Sequence, residues 1–239
     1  MRERVHNEKK YHHLFFDLDR TLWDFDASAR QTFEDIYNRY KLYDIGIESV
    51  DKLIKVFSQH NDMLWDQYRQ GVIEKDYLRG VRFELTLKSF GINDVFLAEH
   101  MSDDYVYFSP RNVHLFPYAA EVLSILYERY PLHLITNGFK EVQVTKLEQS
   151  GLGRFFATVT TSEEAGVKKP EQGIFSHALA KSGALASESI MIGDDLMVDI
   201  EGAARAGMDT VFFNPDRVSH QHNITYEIQS LRELAVLFG

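Results

Sequence analysis

With 239 residues, 44% of them hydrophobic and 26% charged, the chain is long enough to bury one large core or two smaller ones. Its formal net charge of -10 argues against a general nucleic-acid binder, whose phosphate contacts draw on clustered Lys and Arg, yet leaves room for one local basic pocket. The absence of cysteine excludes disulfides, thiolate chemistry and cysteine-ligated metal centres.

The opening segment, Met1 to His13, is charged and lacks the apolar core of a secretory signal, and no later run reaches membrane-spanning length, so the cytoplasm is the expected compartment. The apolar run Leu14-Phe15-Phe16 then predicts a strand that leads into Asp17, Asp19 and Thr21. Residues two apart in an extended strand project to one side, which would point both carboxylates at one spot as a nucleophile and its proton donor. Arg20, alternating with Asp19, would face away. Two close like charges need a divalent cation or a lysine nearby, or one of them neutralises. The competing reading is a strand closed by ordinary turn formers or helix caps.

From about Asp24 to Asn112 the pattern is helical, with amphipathic segments Ala27 to Tyr40, Val50 to Gln70, Lys75 to Phe90 and Val95 to Phe108. This predicts a helical domain over 24–112 inserted into an α/β core made of 1–23 and 113–239. Asp24 to Asp26 and Arg111 to Phe116 are the natural crossings. Within the insertion, Trp65, Tyr68 and Arg69 fall at i, i+3 and i+4 of one helix, either as a patch that stacks a base or grips an anion, or as plain core.

After the insertion, strands Leu132 to Asn137, Thr158 to Thr161, Ser189 to Asp194 and Thr210 to Phe213 alternate with helices Tyr118 to Tyr130, Phe139 to Gly151, Glu171 to Ser182 and Asp199 to Ala206. The expected fold is α/β, a Rossmann-like parallel sheet flanked by helices.

Ligands of such sheets bind beyond the carboxyl ends of the strands, so the polar residues there belong together. Thr136-Asn137-Gly138 offers a hydroxyl and backbone N–H groups at a helix entrance, suited to a phosphate or to a capped turn. Before Pro170 the chain is confined to an extended conformation, and Pro170 itself suits a helix start. Lys169 is thereby aimed and would neutralise a nucleophile and a transferring phosphoryl group, while Lys168 reads as solvated. Asp194 closes the next strand, Asp195 suits a helix dipole, and Asp199 lies one turn beyond. Magnesium takes oxygen ligands and needs only one or two carboxylates, which Asp17 and Asp194 would supply with the backbone carbonyl of Asp19. His12 with His13, and His220 with His222, lack a third ligand at useful spacing and read as surface residues.

The set Asp17-x-Asp19-x-Thr21, Thr136-Asn137-Gly138, Lys169-Pro170 and Gly193-Asp194 with Asp199, interrupted by helices after its first member, resembles the haloacid dehalogenase-like hydrolase superfamily with a C1-type helical cap. The resemblance runs from Phe15 to about Pro215. It implies Asp17 as the nucleophile and a Mg2+ ligand, and Asp19 as the acid and base that also offers its carbonyl to the metal. It further implies Thr136, Asn137 and Lys169 at the phosphoryl group, Asp194 on the metal, and Thr21 and Asp199 one layer out. Dehalogenases of the same superfamily attack carbon and release halide, which needs no proton donor, so a carboxylate at Asp19 favours phosphate esters.

The wider pattern of Phe16-Asp17-x-Asp19-x-Thr21-Leu22, Phe25-Asp26, Leu64-Trp65, Tyr68 and Ile135-Thr136-Asn137-Gly138-Phe139 is similar to bacterial pyrimidine nucleotide 5′-phosphatases. That implies a small-molecule phosphate ester as partner, a nucleoside 5′-monophosphate among the candidates, with neither a nucleic-acid polymer nor a membrane. Sugar-phosphate phosphatases and phosphomutases share the same core, and a noncatalytic phosphate-binding protein would keep the same pocket.

Overall fold

The computed structural model describes residues 11–239, so the charged segment Met1–Lys10, read above as no secretory signal, lies outside the described residues. The chain forms two compact units: one comprises the chain up to Asp24 together with Leu115–Gly239, the other Phe25–His114. No helix among the described residues is long and apolar enough to cross a membrane.

In chain order, the first strand is β1 (His13–Phe16). The second unit then contributes α1 (Phe25–Arg39), α2 (Val50–Arg69), α3 (Lys75–Ser89) and α4 (Val95–Phe108). Ser49 opens α2 by accepting from the Lys52 N–H, and Asp94 opens α4 by accepting from the Leu97 N–H, each satisfying a donor that the helix leaves unpaired. This unit has its own core. Phe33, Phe57, Phe83 and Tyr105 converge with ring centroids 4.8 to 6.1 Å apart, and Arg82, itself buried, lies over the rings of Phe57 and Tyr105 and donates to Asn61.

The remaining elements of the first unit are α5 (Ala119–Tyr127), β2 (Leu132–Thr136), α6 (Lys140–Ser150), β3 (Phe156–Thr161), α7 (Ser162–Ala165), α8 (Gln172–Ser182), β4 (Ser189–Gly193), α9 (Glu201–Arg205), β5 (Asp209–Phe213), β6 (Tyr226–Ile228) and α10 (Leu234–Phe238). Together with β1, these five strands form a six-stranded parallel sheet in the order β3-β2-β1-β4-β5-β6. β2 and β4 are buried along their whole length, as the continuous apolar runs of a sheet covered on both faces require. Phe15, Ile135 and Met191 from three adjacent strands pack with Ile174, Phe175 and Ala178 of α8.

Three expectations need correction. β3 starts at Phe156, earlier than the Thr158 read from the sequence, because its first half is a partly exposed edge with a register shift against β2. β6 lies in what reads as a polar C-terminal loop; three residues that add to the β5 edge are too few to show an alternation. The helix expected from Asp199 is preceded by a π-type turn, Leu196–Ile200, before α9 begins.

Of the histidines read as surface residues, His12 is exposed, whereas His13, His220 and His222 are half-buried, and a further histidine lies in the core. His133, 2% exposed, stacks on Phe15 and on the half-buried His13, sharing a 3.0 Å hydrogen bond with the latter and a 2.9 Å one with Thr158. His220 packs edge-on to Phe212 and pairs with Glu227. Burial, and then the neighbouring His13, push the His133 imidazole down to about 4. Its ordinary value is 6.5, so the neutral form stabilises the fold fully above that pH, and the contribution is lost as pH falls toward 4. His133→Phe is expected to remove this slope: between pH 7 and 4 the wild type should lose about 3 kcal/mol more stability than the variant in urea titrations.

Candidate active site

β1 and β4 are neighbours, and the chain winds away from that seam in opposite directions on its two sides. The crevice beyond their carboxyl ends is therefore where an open parallel sheet accepts ligands. Asp17 follows β1 and Asp194 follows β4, with the Asp17 N–H bonded to the Ile192 carbonyl at 2.9 Å. Oxygens of Asp17, Asp194 and Asp199 all lie within 4.8 Å of one another. Thr21 donates to Asp194 at 3.1 Å. Gly193 has no alternative here, since a Cβ would sit 2.5 Å from the Cβ of Asp199.

Lys169 enters this acidic group from the loop before α8, 1% exposed, and its ammonium donates to Asp17 at 2.5 Å, Asp199 at 2.6 Å and the Ile135 carbonyl at 2.9 Å. Three protons thus meet three acceptors. Burial alone would lower this lysine, but Asp17 and Asp199 outweigh it and hold the ammonium above its ordinary range. The Lys169–Pro170 peptide is cis, and α8 begins only at Gln172, so Pro170 does not start the helix as the sequence suggested.

Three carboxylates with one lysine leave an excess of negative charge. Burial first, then Asp199 and Asp19 push the Asp17 carboxyl up against the pull of Lys169; Asp194 is likewise raised by burial, Asp199 and Asp17. An all-oxygen donor set with uncompensated negative charge fits a hard divalent cation such as Mg2+.

Asn137 uses its side chain on the loop that carries the lysine: its Oδ1 accepts from the Lys169 N–H at 2.8 Å and its Nδ2 donates to the Lys169 carbonyl at 2.9 Å. The Thr136 hydroxyl, buried at the end of β2, accepts from the Gly138 N–H at 3.0 Å. Asp195 caps the turn that follows, accepting from the N–H groups of Met197 and Val198 at 2.9 Å, and is not one of the three clustered carboxylates.

Residues 11–207 match the haloacid dehalogenase-like hydrolase family. The chain belongs to the haloacid dehalogenase-like hydrolases. It is 32% identical to the HAD-hydrolase YfnB of Bacillus subtilis over 95% of this chain and 94% of YfnB. It is 32% identical to the pyrimidine 5′-nucleotidase PynA of Streptococcus pneumoniae over 94% and 93%. A crystal structure of YfnB bound to magnesium superposes with a TM-score of 0.85 at 29% identity, covering 96% of this chain and 99% of that one.

Within this family frame, one geometric expectation fails. The strand expected to carry Asp17 and Asp19 stops short of both: β1 ends at Phe16, and the Leu18 carbonyl gathers the N–H groups of Thr21, Leu22 and Trp23 into a tight turn that includes Asp19. Arg20 sits there with φ of 65°, exposed, and does not alternate along a strand. The two acids accordingly have different cations: Lys169 on Asp17, Lys146 on Asp19. Gln143 also donates to Asp19, at 2.8 Å. Burial would raise Asp19, but Lys146, Gln143 and Arg20 together hold it below the usual carboxylate range.

Lys146 and Gln143 were missed from the sequence. Their signal is the buried side of α6, which carries Gln143, Lys146 and Leu147 where three apolar residues would be expected. In the helical unit, Tyr68 is buried, Trp65 packs edge-on to it with ring centroids 5.6 Å apart, and Arg69 pairs with Asp66.

Proposed function

We propose that this hydrolase is a magnesium-dependent phosphomonoesterase acting on a small phosphorylated metabolite, with a nucleoside 5′-monophosphate as the leading candidate. The observation that carries the reading is a second carboxylate, Asp19, set beside the buried Asp17–Lys169 pair. An attack on carbon with departure of halide has no use for it; departure of an alkoxide does. The nucleotide preference is supported by the similarity to PynA.

The scheme proceeds in two displacements. An Asp17 oxygen attacks phosphorus; the bond from phosphorus to the ester oxygen breaks, its electron pair stays on that oxygen, and the oxygen takes the proton of the Asp19 carboxyl. Water then attacks phosphorus and gives its proton to the Asp19 carboxylate, the bond from phosphorus to Asp17 breaks, and phosphate leaves. The charged form of Asp19 favoured by Lys146 suits the second step, and an anionic phosphate brought alongside shifts it toward the protonated form needed in the first. Lys169 and Thr136 hold the phosphoryl oxygens, with Asn137 fixing the loop of Lys169. Asp17, Asp194 and the Asp19 carbonyl would hold Mg2+, with Asp199 and Thr21 alongside, and the bound cation would supply the charge neutralisation that lets a carboxylate approach a phosphate. In the helical unit, Trp65, Tyr68 and Arg69 are the candidate determinants of which ester is accepted.

Purified protein is expected to release inorganic phosphate from nucleoside 5′-monophosphates in the presence of Mg2+, and to lose that activity with a chelator. A panel of nucleotides and sugar phosphates, read by phosphate release, tests this. Binding of such esters without any hydrolysis, or transfer of phosphate to another position of the substrate with none released, would sink the assignment.

A further inference from the structure

The carboxylate of Asp19 is gripped at both oxygens from one helix. Gln143 Nε2 donates to Oδ2 at 2.8 Å and Lys146 Nζ donates to Oδ1, the two donors standing three residues apart on the buried side of α6. Lys146 is 2% exposed and its ammonium also lies over the indole of Trp23, 5.2 Å from the ring centroid, while Trp23 pairs by a backbone bridge with Asp19 itself. Gly138 at the entrance to α6 makes room for the arrangement: a Cβ there would fall 1.6 Å from Gln143 Nε2.

Burying an ammonium and an amide costs several kcal/mol unless both are well paired, and an apolar side chain at either position would fill the space between α6 and the sheet more cheaply. The partner they share is an aspartate that keeps 27% of its side chain open to solvent. A carboxylate on a turn would otherwise rotate among several orientations. We infer that Lys146 and Gln143 are positioning residues, a two-point tether that fixes the Asp19 carboxyl group in the orientation from which it hands its proton to the departing ester oxygen. The inference rests on the phosphomonoesterase reading given above.

A tether on the proton donor has a distinctive kinetic signature, because its value depends on how badly the leaving oxygen needs a proton. Nitrophenolate departs without one; a ribose alkoxide does not. For Lys146→Met, kcat/KM for uridine 5′-monophosphate is expected to fall about 100-fold while that for p-nitrophenyl phosphate stays within about 3-fold of wild type. Gln143→Met, which removes a neutral group, should show the same split at about 10-fold, and supplies the test if loss of the buried ammonium unfolds the first variant, as thermal melting would reveal. Equal losses on the two esters would reduce both residues to scaffolding, and unchanged rates on both would remove them from the reaction; either result overturns the inference while wild-type hydrolysis leaves the phosphatase reading standing. If the wild type hydrolyses neither ester, the phosphatase reading falls and the tether with it.

Discussion

Asp17→Asn is expected to lower magnesium-dependent phosphate release by at least about 10⁴-fold, the scale on which enzymes lose their nucleophile. The amide keeps the size of the side chain, so the loss would not come from a cavity at the end of β1. What disappears is the negatively charged oxygen that attacks phosphorus, and with it one of three carboxylates suited to a cation. Lys169 keeps the Asp199 carboxylate and the Ile135 carbonyl as partners, which should hold the loop before α8 in place. Substrate binding is therefore expected to outlast turnover: a nucleotide should still perturb the variant's melting temperature. Acid-quenched wild-type enzyme should carry a phosphate on Asp17, and Asp17→Asn should carry none. Near wild-type turnover in the variant would remove Asp17 as the nucleophile.

Lys169→Met should be the most destabilising single change in the first unit, at about 3–5 kcal/mol in chemical denaturation. The ammonium is the shared cation of two buried carboxylates, and methionine fills its volume without its charge. Asp17 and Asp199 would then face each other uncompensated, and each would rise further toward its neutral form. The cause is charge, not packing, and the remedy follows from it: adding Asp199→Asn to Lys169→Met should restore a large part of the lost stability without restoring activity. Added Mg2+ should stabilise the single variant more than it does the wild type. Equal stabilities of the single and double variants would show that the lysine's packing, not its charge, is what matters.

Much of this site can be found by a linear reading, because several of its residues sit at or just past the end of a short apolar run. Asp17 after Leu14-Phe15-Phe16, Asp194 after Ile190-Met191-Ile192 and Thr136 after Leu134-Ile135 announce themselves by a change from apolar to polar where a strand must stop. Lys169 is legible through the proline that follows it. The turn after Asp17 is not: its shape depends on the Leu18 carbonyl collecting three N–H groups, which no alternation pattern encodes. Nor are Gln143 and Lys146, whose partner is more than a hundred residues away in sequence and whose helix reads as weakly amphipathic because its buried side is polar. β6 escapes for a third reason, being so short that its pairing with β5, not its composition, makes it a strand.

The two ends of the helical insertion are stitched to each other within the first unit: Trp23 bridges Leu115, and the Phe116 N–H bonds the Leu22 carbonyl at 3.0 Å. Because entry and exit are pinned side by side, the sheet experiences everything between them as a hairpin of fixed width. The entropy of closing that hairpin grows only with the logarithm of its length, so helices can be added, lost or exchanged between Trp23 and Leu115 at little cost to the sheet that presents Asp17. The same stitch makes the insertion a separable cassette, and the chemistry at the strand ends can be kept while the segment between the stitched ends is rewritten.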